Sequence, residues 1–135
     1  MVIDPSAILA ILQDEPERGP FIDAIEAAHE RLISAPSLVE LSIVTEARCG
    51  AGGLQDLDLF LVAAGIETVP FDAAQALLAR LAFQRFGKGR HPAGLNFGDC
   101  LSYALAICRN QPLLFKGNDL SLTDVARVIE AAEPS

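Results

Sequence analysis

The chain has 135 residues, which fits one domain and is enough to bury a core without disulfides or a structural metal. Apolar residues make up 51% and charged residues 21%, which excludes a disordered chain. Ten basic residues against eighteen acidic ones leave a net charge of −8, which excludes a uniformly basic nucleic-acid-coating protein but not a local basic patch.

In chain order, MVID (1–4) reads as a short apolar strand ending on an acid. Pro5 suits the first position of a helix, where a backbone N–H has no partner to lose. SAILAILQ carries Ile8, Leu9, Ile11 and Leu12 on a broad apolar face, and Pro16 breaks the pattern. A second helical pattern runs from Phe21 to His29, and RLISA (31–35) is a strand candidate. Pro36 opens a helix with Leu38, Val39, Leu41, Ile43 and Val44 that ends near Gly50. LQDLDLFLVAAG is another helix, stopped by Gly65, and IETVPF (66–71) is a strand. A long helix follows from Asp72 to Phe86, then the Gly/Pro-rich loop GKGRHPAGLN. FGDCLSYALAICRN is a buried helix, PLLF (112–115) a buried strand, GND a turn, and the tail reads as helical.

Strands alternating with helices at short spacing imply an α/β fold of three layers. A mostly parallel sheet of four to five short strands then carries helices on both faces, in a single domain over 1–135. Its sites form at the carboxyl ends of strands, near a point where the strand order reverses. No secretory signal is expected, because Asp4 is acidic and no basic residue precedes Arg18. The longest apolar runs, such as LFLVAAGI (59–66), are too short to span a bilayer. Cys49, Cys100 and Cys108 are odd in number and lack CxxC spacing. Cys100 and Cys108, eight apart, are expected on one helix face as buried reduced thiols. A cytoplasmic location is expected.

Four acidic residues stand at strand–helix junctions. Asp4 follows the first strand, Glu40 lies just past LISA, Asp99 heads the buried helix, and Asp119 follows PLLF. Brought to one edge of a sheet, they repel and call for a cation. Hard oxygen ligands in an open cluster suit Mg²⁺ or Mn²⁺, and such a site suits phosphodiester hydrolysis. Each acid also has a plain reading as a helix cap: Asp4 ahead of Pro5, Ser37–Glu40 and Asn96–Asp99 at capping-box spacing, Asp119 ahead of the tail.

The basic residues are concentrated. Between Asp72 and Asp119 lie Arg80, Arg85, Lys88, Arg90, Arg109 and Lys116 against one acid, Asp99, a local charge of +5. The densest stretch, RFGKGRHP (85–92), leads into Asp99. Lysine and arginine contacts to phosphate supply most nucleic-acid affinity, so Arg85, Lys88, Arg90 and Lys116 are candidate RNA contacts. The plain alternative is a solvated loop. His91 reads as a surface residue rather than a general base.

MVIDPSAILAIL, APSLVELSIV, KGRHPAGLNFGDCLSYALA and PLLFKGNDL together resemble the PIN-domain ribonucleases, in particular the VapC-type toxins of toxin–antitoxin pairs. The resemblance spans essentially the whole chain. It implies a Mg²⁺-dependent endoribonuclease, with Mn²⁺ also supporting activity, that cuts RNA and inhibits translation. The family's acidic residues carry over onto Asp4, Glu40, Asp99 and Asp119, as catalytic residues and metal ligands, and a ligand-orienting Ser or Asn onto Ser6. It further implies a homodimer and a VapB-type antitoxin that neutralises the chain in a hetero-oligomer, with DNA reached only through the antitoxin. The apolar helices 7–12 and 54–63 would offer the antitoxin a groove. One departure stands out: Pro5 replaces the Thr or Ser usual after the first acid, which leaves the hydrogen bonding around Asp4 open. A receiver domain lacks its paired acids here, and a HAD-type phosphatase its DxD. A catalytically inactive PIN fold that binds RNA or a partner is the alternative.

Overall fold

A computed structural model describes residues 1–129. Four strands, β1 (Val2–Ile3), β2 (Leu32–Ser34), β3 (Glu67–Val69) and β4 (Leu113–Leu114), form one sheet in the order β3-β2-β1-β4, and every pair is parallel. Between them run α1 (Pro5–Leu12), α2 (Arg18–Ala27), α3 (Ala35–Ala63), α4 (Ala73–Phe86) and α5 (Phe97–Arg109).

Alternation along each short strand divides the core. Val2, Leu32, Val69 and Leu113 face one side, where Ala82, Phe86, Cys100, Tyr103 and Leu105 of α4 and α5 cover them. Ile3, Ile33 and Leu114 face the other, against Ile8 and Ile11 of α1, Phe21 and Ile25 of α2, and Leu41 and Leu57 of α3. The three layers are those the sequence implies. The chain steps outward from β1 to β2 to β3, then crosses to place β4 on the free side of β1. The strand order therefore reverses between β1 and β4, and their carboxyl ends open where a site is expected.

The helix expected to end near Gly50 does so, and the next one follows directly; two other expectations need correction. Gly50, at φ 69°, breaks the helical path inside α3, a conformation glycine adopts without strain. The described part of the tail is not helical. After a 3₁₀ turn at Leu120–Leu122, the segment lies along the open edge of β4: Leu113 N–H donates to Ala126 O and Val128 N–H to Leu113 O. An unpaired strand edge leaves backbone donors to satisfy, and Val125 and Val128 favour extended backbone. The rest of that expected helix lies outside the described residues. Finally, Cys100 is buried but Cys49 and Cys108 are exposed. Eight residues turn a helix through about 80° beyond two full turns, enough to carry Cys108 off the buried face.

Candidate active site

Asp4 leaves β1 and becomes the N-cap of α1; its carboxylate accepts from Ser6 N–H at 3.0 Å. Pro5 occupies the first helical position, so the hydroxyl and N–H it lacks are not needed for this cap. Asp4 is 6% exposed, and its other carboxylate oxygen accepts the Ser102 hydroxyl of α5 at 2.5 Å. Ser6 Oγ in turn accepts Lys116 N–H at 3.0 Å, which ties the end of β1 to the loop after β4.

Asp99 sits in the first turn of α5 within a full capping box. Asn96 accepts from Asp99 N–H at 2.9 Å, and Asp99 Oδ2 accepts from Asn96 N–H at 3.0 Å. Capping therefore occupies one carboxylate oxygen and leaves the other to the cleft. Glu40, on α3, lies across the start of α5: a Cβ added to Gly98 would collide with its carboxylate. Ser37–Glu40 forms no capping box, because Ser34 is the N-cap of α3 and the Ser37 hydroxyl is buried without a partner. Asp119 precedes the 3₁₀ turn, is exposed, and makes no side-chain cap bond.

Asp4, Ser6, Asp99, Lys116 and Asp119 line one cleft of about 180 Å³ at the β1/β4 switch point. Crowding shows in the acidities. Burial pushes the Asp99 carboxyl up to about 6; its hydrogen bond from Asn96 opposes this, and the charges of Asp4 and Asp119 add to it. Burial, then Asp4 and Asp99, also raises the Glu40 pKa. Among the described residues, no three His, Cys, Asp or Glu side chains stand within joint reach of one ion. An all-oxygen donor set of this spacing fits a hard cation bound by one or two carboxylates and waters, the habit of Mg²⁺.

The basic candidates separate. Lys88 and Arg90 are exposed on the loop, with Arg90 5.4 Å from the centre of the Phe83 ring. Arg85 stacks on Phe86 and pairs with Asp124 at 3.4 Å, an acid that also accepts the Tyr103 hydroxyl. Lys116 is at the cleft, but its ammonium pairs with Glu15 and Glu17 of the α1–α2 connection. His91 Nδ1 accepts from Ala93 N–H and shapes the loop. Sequence reading missed Gly98, signalled by a glycine directly before Asp99, and Ser102, a lone hydroxyl in an apolar helix. Nothing in the sequence signals that Glu15 and Glu17 reach Lys116.

The PIN-domain family profile matches residues 1–127. A VapC ribonuclease of Mycolicibacterium smegmatis is 53% identical over 128 residues, covering 95% of this chain and 99% of that protein. The VapC30 ribonuclease of Mycobacterium tuberculosis is 52% identical over 128 residues, covering 95% and 98%. Among solved structures, the M. tuberculosis toxin VapC20 superposes with a TM-score of 0.74 at 15% identity, covering 93% of this chain and 95% of that one. A toxin–antitoxin complex from Klebsiella pneumoniae gives 0.70 at 15% identity, covering 96% and 98%. These two show a shared fold. Profile and relatives together cover almost the whole described chain, which belongs to the PIN-domain family, in its VapC branch.

Proposed function

We propose that this chain is a divalent-metal-dependent endoribonuclease, the toxin of a type II toxin–antitoxin pair, using Mg²⁺ with Mn²⁺ as an effective substitute. The observation that carries the reading is the crowding of acidic side chains at the β1/β4 switch point, with Glu40 and Asp99 both held above their ordinary pKa. Asp4, Glu40 and Asp99 would hold the cation, some through water, and Asp119 would complete that site or help hold a second ion. The chemistry such a cation supplies is a grip on the phosphate oxygens, acidification of the attacking water and neutralisation of charge on the leaving oxygen.

The protein's own groups do the positioning. Ser102 and Ser6 N–H fix both oxygens of Asp4. The Ser6 hydroxyl accepts from Lys116 N–H and keeps its own proton to donate to a water or phosphate oxygen in the cleft. Lys88 and Arg90, exposed on the loop before α5, would supply backbone phosphate contacts. In-line attack by water with departure of the 3′ oxygen, which takes up a proton, would leave a 5′-phosphate and a 3′-hydroxyl.

A groove of about 310 Å³ between α1, α2 and the end of α3 is lined by Ile11, Leu12, Ile22, Phe60, Arg18 and Arg31. Helices 7–12 and 54–63 flank it. Glu26 also lines it, and Arg18 and Arg31 already donate to Ile11 O, Ala64 O and Glu26 O, so the groove suits chiefly the apolar face of an amphipathic segment of a VapB-type antitoxin. The antitoxin would also carry the DNA contacts of the hetero-oligomer. We place the chain in the cytoplasm as a homodimer; among the described residues no helix is long and apolar enough to cross a membrane.

The test is cleavage of total RNA by purified, antitoxin-free protein in Mg²⁺, Mn²⁺ and EDTA, beside Asp4→Asn and Asp99→Asn. Discrete metal-dependent fragments that vanish in both variants are expected. No cleavage by folded protein in either metal would favour the binding-only alternative.

A further inference from the structure

Asp4, Asp99 and Asp119 line one cleft but are held differently. Hydrogen bonds fix the carboxylates of Asp4 and Asp99 directly, whereas Asp119 is exposed and makes no side-chain cap bond. Where its carboxylate stands depends on the backbone that carries it. That backbone is a short strap. At its start Lys116 N–H donates to Ser6 Oγ. Leu122 N–H donates to Asp119 O and Thr123 N–H to Leu120 O, which closes the 3₁₀ turn, and the Thr123 hydroxyl donates to Leu120 O at 2.7 Å. Leu120 and Val125 are buried in the core on the α4/α5 side of the sheet. Apolar burial has no direction, so these two side chains hold the strap down without fixing its rotation.

The directional tie is at Asp124. Its Oδ1 accepts the Tyr103 hydroxyl at 2.5 Å, the length of a charge-assisted bond, and its Oδ2 pairs with Arg85 at 3.4 Å. The Arg85 pair is exposed and contributes little. Tyr103 is 4% exposed, and a phenol buried that deeply needs a partner. Burial, then the bond to Asp124 and its charge, push the Tyr103 pKa up to about 12, so the phenol remains a donor through the physiological range. A single stretch of α5 therefore supports all three acids of the cleft: it carries Asp99, its Ser102 donates to Asp4, and its Tyr103 holds Asp124.

We propose that Asp124, held by the Tyr103 hydroxyl, is a positioning residue of the cleavage site, fixing the turn that keeps Asp119 at the cleft. The proposal rests on the ribonuclease reading and deepens it. The rival role is a plain structural tie between α5 and the strap. The two differ in one respect: loss of a plain tie weakens the fold without acting through Asp119.

The test is a double-mutant cycle between Asp124→Ala and Asp119→Asn, with Tyr103→Phe and Asp124→Asn alongside. Each protein is kept well below its melting temperature. The readouts are Mn²⁺ titration of metal-free protein, amide exchange, and cleavage of one RNA that the unaltered protein cuts. Asp124→Ala and Tyr103→Phe should weaken Mn²⁺ binding and lower kcat on the order of 10–100-fold, the range for removing a group that orients a metal ligand, with KM for the RNA unchanged. The Leu122 and Thr123 amides should exchange faster in both. Asp124→Asn, whose side-chain oxygen still accepts from Tyr103, should restore most of the loss. In the Asp119→Asn background, Asp124→Ala should cost no more than about twofold further, the margin within which independent sites add. Equal losses with and without Asp119→Asn overturn the proposal and leave a structural tie. Unchanged exchange at Leu122 and Thr123 in Tyr103→Phe overturns it, as does a protein whose Mn²⁺ affinity and cleavage ignore Asp119→Asn. Mn²⁺ coupling intact in an unaltered protein that cuts no RNA keeps the positioning role and overturns the nuclease.

Discussion

Replacing Gly98 with alanine puts a methyl group where the Glu40 carboxylate now lies. The obstructing atoms are the far end of a flexible side chain and not backbone, so Glu40 turns away with little resistance from the fold. Leaving its half-buried position relieves the desolvation that raises its pKa. Alanine is also a better helix former than glycine by up to about 1 kcal/mol, less at a first turn. The expected stability change in Gly98→Ala is thus from zero to about 1 kcal/mol in favour of the variant. That is a melting temperature unchanged or raised by roughly 2–8 °C at most. Activity moves the other way. With Glu40 displaced, RNA cleavage should fall on the order of 10–100-fold, the range for disturbing groups that orient a metal site. Thermal melting and fragment yield on the same preparation read both effects, with Glu40→Gln as the comparison. Full activity in Gly98→Ala would show that Glu40 is not used where it lies. A melting temperature lowered by several degrees would show that the clash is taken up by backbone.

Metal and pH act on the same cluster. Asp99 is raised from 3.8 to about 6 and Glu40 is raised too, so the folded protein holds protons that the unfolded chain releases. The Asp99 contribution is fully present below 3.8 and lost as pH rises through about 6, and Glu40 acts in the same direction, so metal-free protein should lose stability across that window. Mg²⁺ should offset the loss: at ten times its Kd it stabilises by about 1.4 kcal/mol. Scanning calorimetry should show a larger Mg²⁺ shift at pH 7.5 than at pH 5, and equal shifts would refute the coupling. Ser102→Ala removes a buried hydrogen bond to an ionised group and should cost about 1.5–3 kcal/mol in urea unfolding, with cleavage reduced; a change under about 0.5 kcal/mol would remove Ser102 from the site. Lys88→Ala with Arg90→Ala should flatten the salt dependence of RNA affinity by about 0.7 per lost contact, whereas Arg85→Ala should leave the slope unchanged because Asp124 already pairs with it. Equal slopes in all three proteins would take the loop out of the interface.

The layer order was legible from apolar runs and breakers, and the convergence of Asp4, Asp99 and Asp119 on one cleft from their places at element ends. Glu40, inside α3, comes near them only through the packing of α3 on α5. Strand boundaries were not legible. LISA and PLLF each shrink to a core of two or three paired residues, because the ladder is limited by how far neighbouring strands overlap. The tail was misread because SLTDVARVI carries an acceptable helical pattern. Only the open edge of β4, a long-range feature, shows why it extends instead. The thiols show the limit of counting: an eight-residue spacing suggests one face, but helical geometry places Cys108 to the side of Cys100.

Capping and metal binding are the two readings of these acids, and the structure shows that they are compatible. Asp4 and Asp99 both cap helices, and the cap is what aims them. A helix that starts directly after a strand fixes its N-cap residue at the strand's carboxyl end, and at the switch point that end opens into the cleft. The backbone N–H that each acid accepts occupies one oxygen and orients the other. An acid chosen only to cap would be satisfied there, yet Asp99 is driven up to about 6 by burial and by its acidic neighbours, which no cap requires. Lys116 sharpens the point. It is a cation beside these acids, but its ammonium is turned to Glu15 and Glu17, so it does not neutralise them. The fold thus places carboxylates that raise one another's pKa around one cleft and turns Lys116 elsewhere, an arrangement that costs stability unless a mobile cation completes it.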